Sequence, residues 1–153
     1  MKIFPSPRAL LDAVGETFGP TGPIEVDQSM IDRFADAIGD HQWIHVDVAR
    51  SQNGPFGTTI AHGFLTLSLL SHLGEKTPGL VIEEARMSVN YGFDRVRFIH
   101  PVRSGSLIRA AFTTAAMEEK RPNQFQRAWD VTVEIEGADK PALTAIWLNQ
   151  FFL

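Results

Sequence analysis

The chain has 153 residues, 44% hydrophobic and 21% charged, with a formal net charge of −4 and no cysteine. That is the length of one domain, spanning 1–153, able to bury roughly 68–70% of its unfolded surface without disulfides or a structural metal. The composition excludes a disordered chain, a disulfide scaffold, a thiol nucleophile and Cys-ligated zinc, and the acidic balance argues against a nucleic-acid partner.

In chain order, Met1 to Pro7 is broken by two prolines before an apolar run can build, so no targeting segment is expected. The most apolar stretch, Gly63 to Leu73, is interrupted by Thr66, Ser68, Ser71 and His72 and falls short of the ~20 residues a membrane span needs. A soluble, cytoplasmic protein with no membrane partner is the expectation. A short amphipathic piece (Ala9 to Val14) and a Gly/Pro-rich turn (Gly19 to Pro23) lead to a first strand, Ile24-Glu25-Val26. Asp27 is placed to cap the next helix, because its carboxylate can accept a free first-turn N–H. Met30, Ile31, Phe34, Ala35 and Ile38 recur at helical spacing, and Gly39 marks the stop.

A second helix is predicted over Ala61 to Lys76; its leucines and Phe64 cover nearly the whole circumference, the pattern of a fully buried helix. After the Leu80–Phe98 region, strands are predicted over Leu107 to Met117, Phe125 to Ile135 and Leu143 to Phe151, separated by the turns Lys120-Arg121-Pro122-Asn123 and Gly137-Ala138-Asp139-Lys140. Val131, Val133 and Ile135 alternate with Thr132, Glu134 and Glu136, giving one buried and one wet face. Helices first and strands second is the α+β pattern, with a sheet wrapped round a central helix.

Two segments carry chemistry. In Gly39-Asp40-His41-Gln42-Trp43-Ile44-His45-Val46-Asp47, Asp40 and His45 would diverge by about 140° on a continuous helix. Gly39 ends the helix first, so a loop can curl and bring both groups to one point. Histidine is a ready proton acceptor near neutral pH, and a carboxylate can orient it. The spacing alone leaves a plain alternative, Asp40 as a cap and His45 as a surface residue. In Phe56-Gly57-Thr58-Thr59-Ile60-Ala61-His62-Gly63-Phe64 the chain enters the apolar helix through a glycine. First-turn N–H groups lack intrahelical partners and lie at the positive end of the helix dipole, so Gly63 N–H could donate to a carbonyl gaining negative charge. Close packing of the helix start against Trp43 or the sheet would also explain the glycine. His62 is assigned no chemical role.

Asp40-x4-His45 followed by Phe56-Gly57-x2-Ile60-Ala61-His62-Gly63, with Arg97-Phe98-x2-Pro101-Val102-x2-Gly105 further on, resembles the MaoC-like dehydratases and (R)-specific enoyl-CoA hydratases, in their nodulation-protein-N-like branch. The resemblance implies a hotdog fold, usually homodimeric, and reversible syn addition of water to a trans-2-enoyl thioester. It implies that Asp40 and His45 bind the water, with His45 as base and Asp40 orienting the water or handing a proton to the α-carbon. Gly63 N–H would polarise the thioester carbonyl, and Ser71 matches a substrate-touching hydroxyl on the family's central helix. No metal or redox cofactor is implied; the partner is a small acyl-CoA or acyl-carrier thioester. Gln42-Trp43 stands where many relatives carry Asn-Pro, a change expected to reshape the pocket floor.

Three rival readings remain. His41 and His45 with Asp40 or Asp47 could bind a metal, but His-x3-His needs a helix that Gly39 breaks. A hotdog acyl-thioesterase would use similar substrates, yet wants a water-activating group on the central helix, where only Glu75 stands at the far end. A non-catalytic acyl-thioester binder would keep the fold without turnover.

Overall fold

The computed structural model describes residues 5, 6, 8–75, 77 and 82–153; the end of the predicted second helix at Lys76 and the start of the Leu80–Phe98 region lie outside them. After a 3-10 turn at Arg8–Ala13 come β1 (Thr17–Phe18), β2 (Ile24–Val26) and α1 (Gln28–Ile38), then two one-turn helices, α2 (Trp43–Val46) and α3 (Val48–Ser51). The second half is α4 (Gly63–Glu75), β3 (Met87–Phe98), β4 (Ser106–Arg121), β5 (Gln124–Ile135) and β6 (Leu143–Phe152).

The expected caps close α1. The Asp27 carboxylate accepts from Met30 N–H at 2.7 Å, and Gly39 takes the left-handed conformation (φ 75°) that ends the helix at no steric cost. One antiparallel sheet runs β1-β4-β5-β6-β3, with β2 also on the β4 edge. In β4, β5 and β6 buried residues alternate with wetter ones, which turns one face of the sheet inward. That face carries Phe112, Trp129, Val131, Leu143 and Trp147, and it forms one core with Leu65, Leu70 and Leu73 of α4. The sheet curls round α4, the α+β hotdog arrangement.

The expectation that α4 is buried all round is corrected. Leu65, Thr66, Leu70, Leu73 and Gly74 are buried, whereas Phe64 is 66% exposed. The sheet covers only one side of the helix. On the open side α4 shares an apolar surface with β3, the edge strand, whose Met87, Tyr91 and Phe98 are at least half exposed. Among the described residues no helix is long and apolar enough to cross a membrane.

Candidate active site

Residues 40–63 form the corner that joins α1 to α4. Asp40 follows the α1 stop directly, and its carboxylate accepts from Gln42 N–H at 3.2 Å, turning the chain. That turn starts α2, so His45 stands on a short helix rather than on the predicted loop. Asp47 then accepts from Arg50 N–H at 2.9 Å and caps α3. The end of α2 is tied across the corner by Gln28, whose amide donates to His45 C=O at 2.8 Å and whose carbonyl accepts from the Thr59 hydroxyl.

His45 is 7% exposed. Its Nδ1 lies 2.6 Å from Ile60 C=O; a carbonyl can only accept, so Nδ1 carries the hydrogen and neutral His45 keeps its Nε2 lone pair free. Burial holds the imidazole pKa below its ordinary value; the Ile60 carbonyl opposes this, His62 adds to it, and Asp40 opposes it. The result is a base whose protonation is harder than that of a free imidazole.

One carboxylate or imidazole atom from each of Asp40, His45 and His62 falls within 4.8 Å of the others. The two groups singled out by spacing therefore converge, and a third joins them. His62 is 3% exposed and stacks on His45 with centroids 3.7 Å apart and planes 24° apart. Its Nε2 is 3.0 Å from the Asp40 backbone carbonyl and 3.9 Å from the Asp40 carboxylate.

A cavity of about 260 Å³ is lined by His45, Gly63, Thr66, Phe98 and His100, among others. Gly63 is the first residue of α4, and among the described residues its N–H meets no acceptor. A Cβ built there would stand 3.0 Å from the Phe98 ring, so the glycine answers to the sheet, not to Trp43. Trp43 is two residues from His45, about 200° round α2. It packs against Gly54 and under the Arg50 guanidinium, 4.2 Å from the ring centroid, away from the pocket it was expected to floor. Ser71 lies two turns along α4 and lines a different recess, with Asn90, Trp147 and Asn149.

The metal set read from spacing does not assemble. His41 turns away to Asp36 at 2.8 Å, and Asp47 is engaged as a cap. Asp40, His45 and His62 offer three donors at close range, but stacked rings carry their in-plane lone pairs on nearly parallel planes, and one nitrogen of each already faces a backbone carbonyl. The same groups suit proton transfer: a buried imidazole, a carboxylate near it, and, at the wall of the cavity that the imidazole also lines, a glycine N–H able to meet a developing oxyanion.

The signal for His62 was present in the sequence, since it immediately precedes Gly63. The Ile60 carbonyl and Gln28 left no signal, because a backbone oxygen and a helix glutamine are chemically ordinary until the fold brings them to His45.

The family model described as MaoC like domain matches residues 10–135. Nodulation protein N of Rhizobium meliloti (strain 1021) is 50% identical over 137 residues, 88% of this chain and 84% of that protein. The 3-hydroxyacyl-thioester dehydratase Z of Mycobacterium tuberculosis (strain H37Rv) is 43% identical over 145 residues, 95% of each chain. The solved structure of the (R)-hydratase from A. caviae involved in PHA biosynthesis superposes with a TM-score of 0.72 at 23% identity, over 89% of this chain and 94% of that one.

Proposed function

The chain belongs to the MaoC-like family, and from that premise we propose that it catalyses reversible hydration of trans-2-enoyl thioesters to (R)-3-hydroxyacyl thioesters. The observation that carries the reading is the meeting of Asp40, His45 and the Gly63 N–H at one corner of the fold. The likeness to a 3-hydroxyacyl-thioester dehydratase supports the substrate class.

In the proposed reaction the thioester carbonyl accepts from Gly63 N–H, which draws electron density from the double bond and stabilises the enolate-like charge. A water held between Asp40 and His45 gives its proton to His45 Nε2 as its oxygen bonds to C3. The Asp40–His45 pair then returns a proton to C2, so one water is added across the double bond and the pair ends as it began. Because one pair of neighbouring groups both activates the water and returns the proton, both additions come from the same face of the double bond, which is syn addition. The route uses protein groups alone, with no resident metal or redox cofactor. Ser71 is assigned to substrate binding: eight residues past Gly63, it stands about 12 Å along the helix, where it would meet a distal part of the substrate.

A homodimer completes this reading. The β3 edge and the outer face of α4 form an exposed apolar band, and an unpaired edge strand is a template for a second chain. Light scattering should give twice the chain mass.

The deciding assay follows a short trans-2-enoyl-CoA with wild type, Asp40→Asn and His45→Gln. Loss of enoyl absorbance by wild type alone supports the proposal. Release of free thiol would make the protein a thioesterase, and equal inactivity of all three proteins would leave an acyl-thioester binder.

A further inference from the structure

We propose that His62 is a positioning residue that sets the catalytic pair, pinning Asp40 through its main chain and holding the His45 ring in plane by stacking. The inference rests on the hydratase reading and adds to it a group that Asp40-x4-His45 does not contain.

His62 arrives from the other side of the corner, 22 residues from Asp40 and directly before the helix that supplies Gly63. It is therefore the one side chain that touches both halves of the pair while being covalently next to the oxyanion donor. Its Nε2 faces the Asp40 carbonyl at 3.0 Å, so Nε2 donates and the neutral ring leaves Nδ1 as a bare lone pair. That Nδ1 is buried and, among the described residues, has no hydrogen-bond partner. A residue serving only to fill the space between Phe34, whose ring centroid is 5.3 Å away, and His45 would be better as a phenylalanine, which carries no polar atom to strand. Histidine combines a small flat ring with an N–H.

The stack has an electrostatic consequence. With the rings 3.7 Å apart, His62 disfavours a charge on His45. Among the described residues Asp40, from the loop after α1, is the other titratable group beside the stack, and His100 lines the same cavity as His45.

The test separates the two contacts. His62→Phe keeps a ring and loses the N–H; His62→Gln keeps an N–H near the Nε2 position and loses the ring. With a short trans-2-enoyl-CoA, His62→Phe is expected to lower kcat about 10- to 100-fold, the penalty of a group displaced by about 1 Å, with KM within about threefold. His62→Gln is expected to move the acid limb of kcat/KM to higher pH, because the neighbour that disfavours the His45 cation is gone. Nitrogen-15 NMR of wild type, without substrate, should find His45 protonated at Nδ1 and His62 at Nε2. The inference is overturned by the opposite His62 tautomer, or by two folded variants with wild-type kcat and an unmoved acid limb. If the variants do not fold, the wild-type tautomers decide it. If wild type hydrates no enoyl thioester the functional reading falls, and the tautomers still report on the His62 contact.

Discussion

The two ends of α4 differ in a way that separates chemistry from grip. At its first residue, Gly63, the helix meets two stacked histidines and an aspartate, with a free backbone N–H alongside. Two turns on, Ser71 and Glu75 face Asn90 and Asn149, whose amides bond each other at 3.1 Å. Both ends are polar recesses on one helix. Only the first brings several titratable groups within reach of each other, which is what relaying a proton requires; at the second, Glu75 stands among amides and hydroxyls that can hold a substrate but cannot carry its protons at neutral pH.

The sharpest way to break this contrast is to remove the proton carriers. His45→Gln and Asp40→Asn should each reduce kcat on an enoyl thioester by about 10²–10⁴-fold, the range for a positioned acid or base, while the melting temperature stays near that of wild type for the half-exposed Asp40. A pH series sharpens it further. Burial lowers the His45 pKa, so the acid limb of kcat/KM should fall below the ordinary histidine value of about 6.5. Asp40 favours the His45 cation, so the residual activity of Asp40→Asn should show that limb at still lower pH. A limb at or above the ordinary value would mean that a different group is the base.

The next effect in size tests the N–H. Gly63→Ala leaves the donor in place but sets a Cβ 3.0 Å from the Phe98 ring, so the ring or the helix start must give by a few tenths of an ångström. Phe98 is half exposed and can swing, hence little loss of stability is expected. The thioester carbonyl, however, loses its close approach, and kcat should drop about 10- to 100-fold. Adding Phe98→Ala should recover part of that loss if crowding is the cause, and none if the glycine acts some other way.

How much of this was legible in the sequence depended on whether the information was local. The caps at Asp27 and Gly39 and the alternation of Val131, Val133 and Ile135 are one-segment signals, and the structure follows them. The one-turn helices α2 and α3 are too short to set a period, so His45 read as a loop residue and Trp43 as a neighbour in the pocket, when a turn of helix sends them to opposite sides. His62 was passed over because its partners lie 17 and 22 residues upstream. The exposure of Phe64 and of β3 escaped because an apolar residue reads as buried whether its cover is the same chain or a second one. Arg127 shares the inward parity of Phe125 and Trp129 in β5. Its guanidinium lies 3.3 Å from the Trp129 ring centroid, and burial lowers its pKa to about 9, so here the alternation outranked the charge.

The smallest effect is expected at the far end of α4. Ser71→Ala removes a hydroxyl that is not hydrogen-bonded to the His45 corner and lies about 12 Å from Gly63 along the axis. No proton in the proposed reaction passes through it, so kcat on a short enoyl thioester should change by less than about threefold. A substrate long enough to reach the recess beside Asn90 and Asn149 would lose one hydrogen bond, worth about 0.5–1.5 kcal/mol, and KM should rise up to about tenfold for that substrate only. A kcat loss as large as that of His45→Gln, on the short substrate, would place the hydroxyl among the proton carriers and erase the distinction between the two ends of the helix.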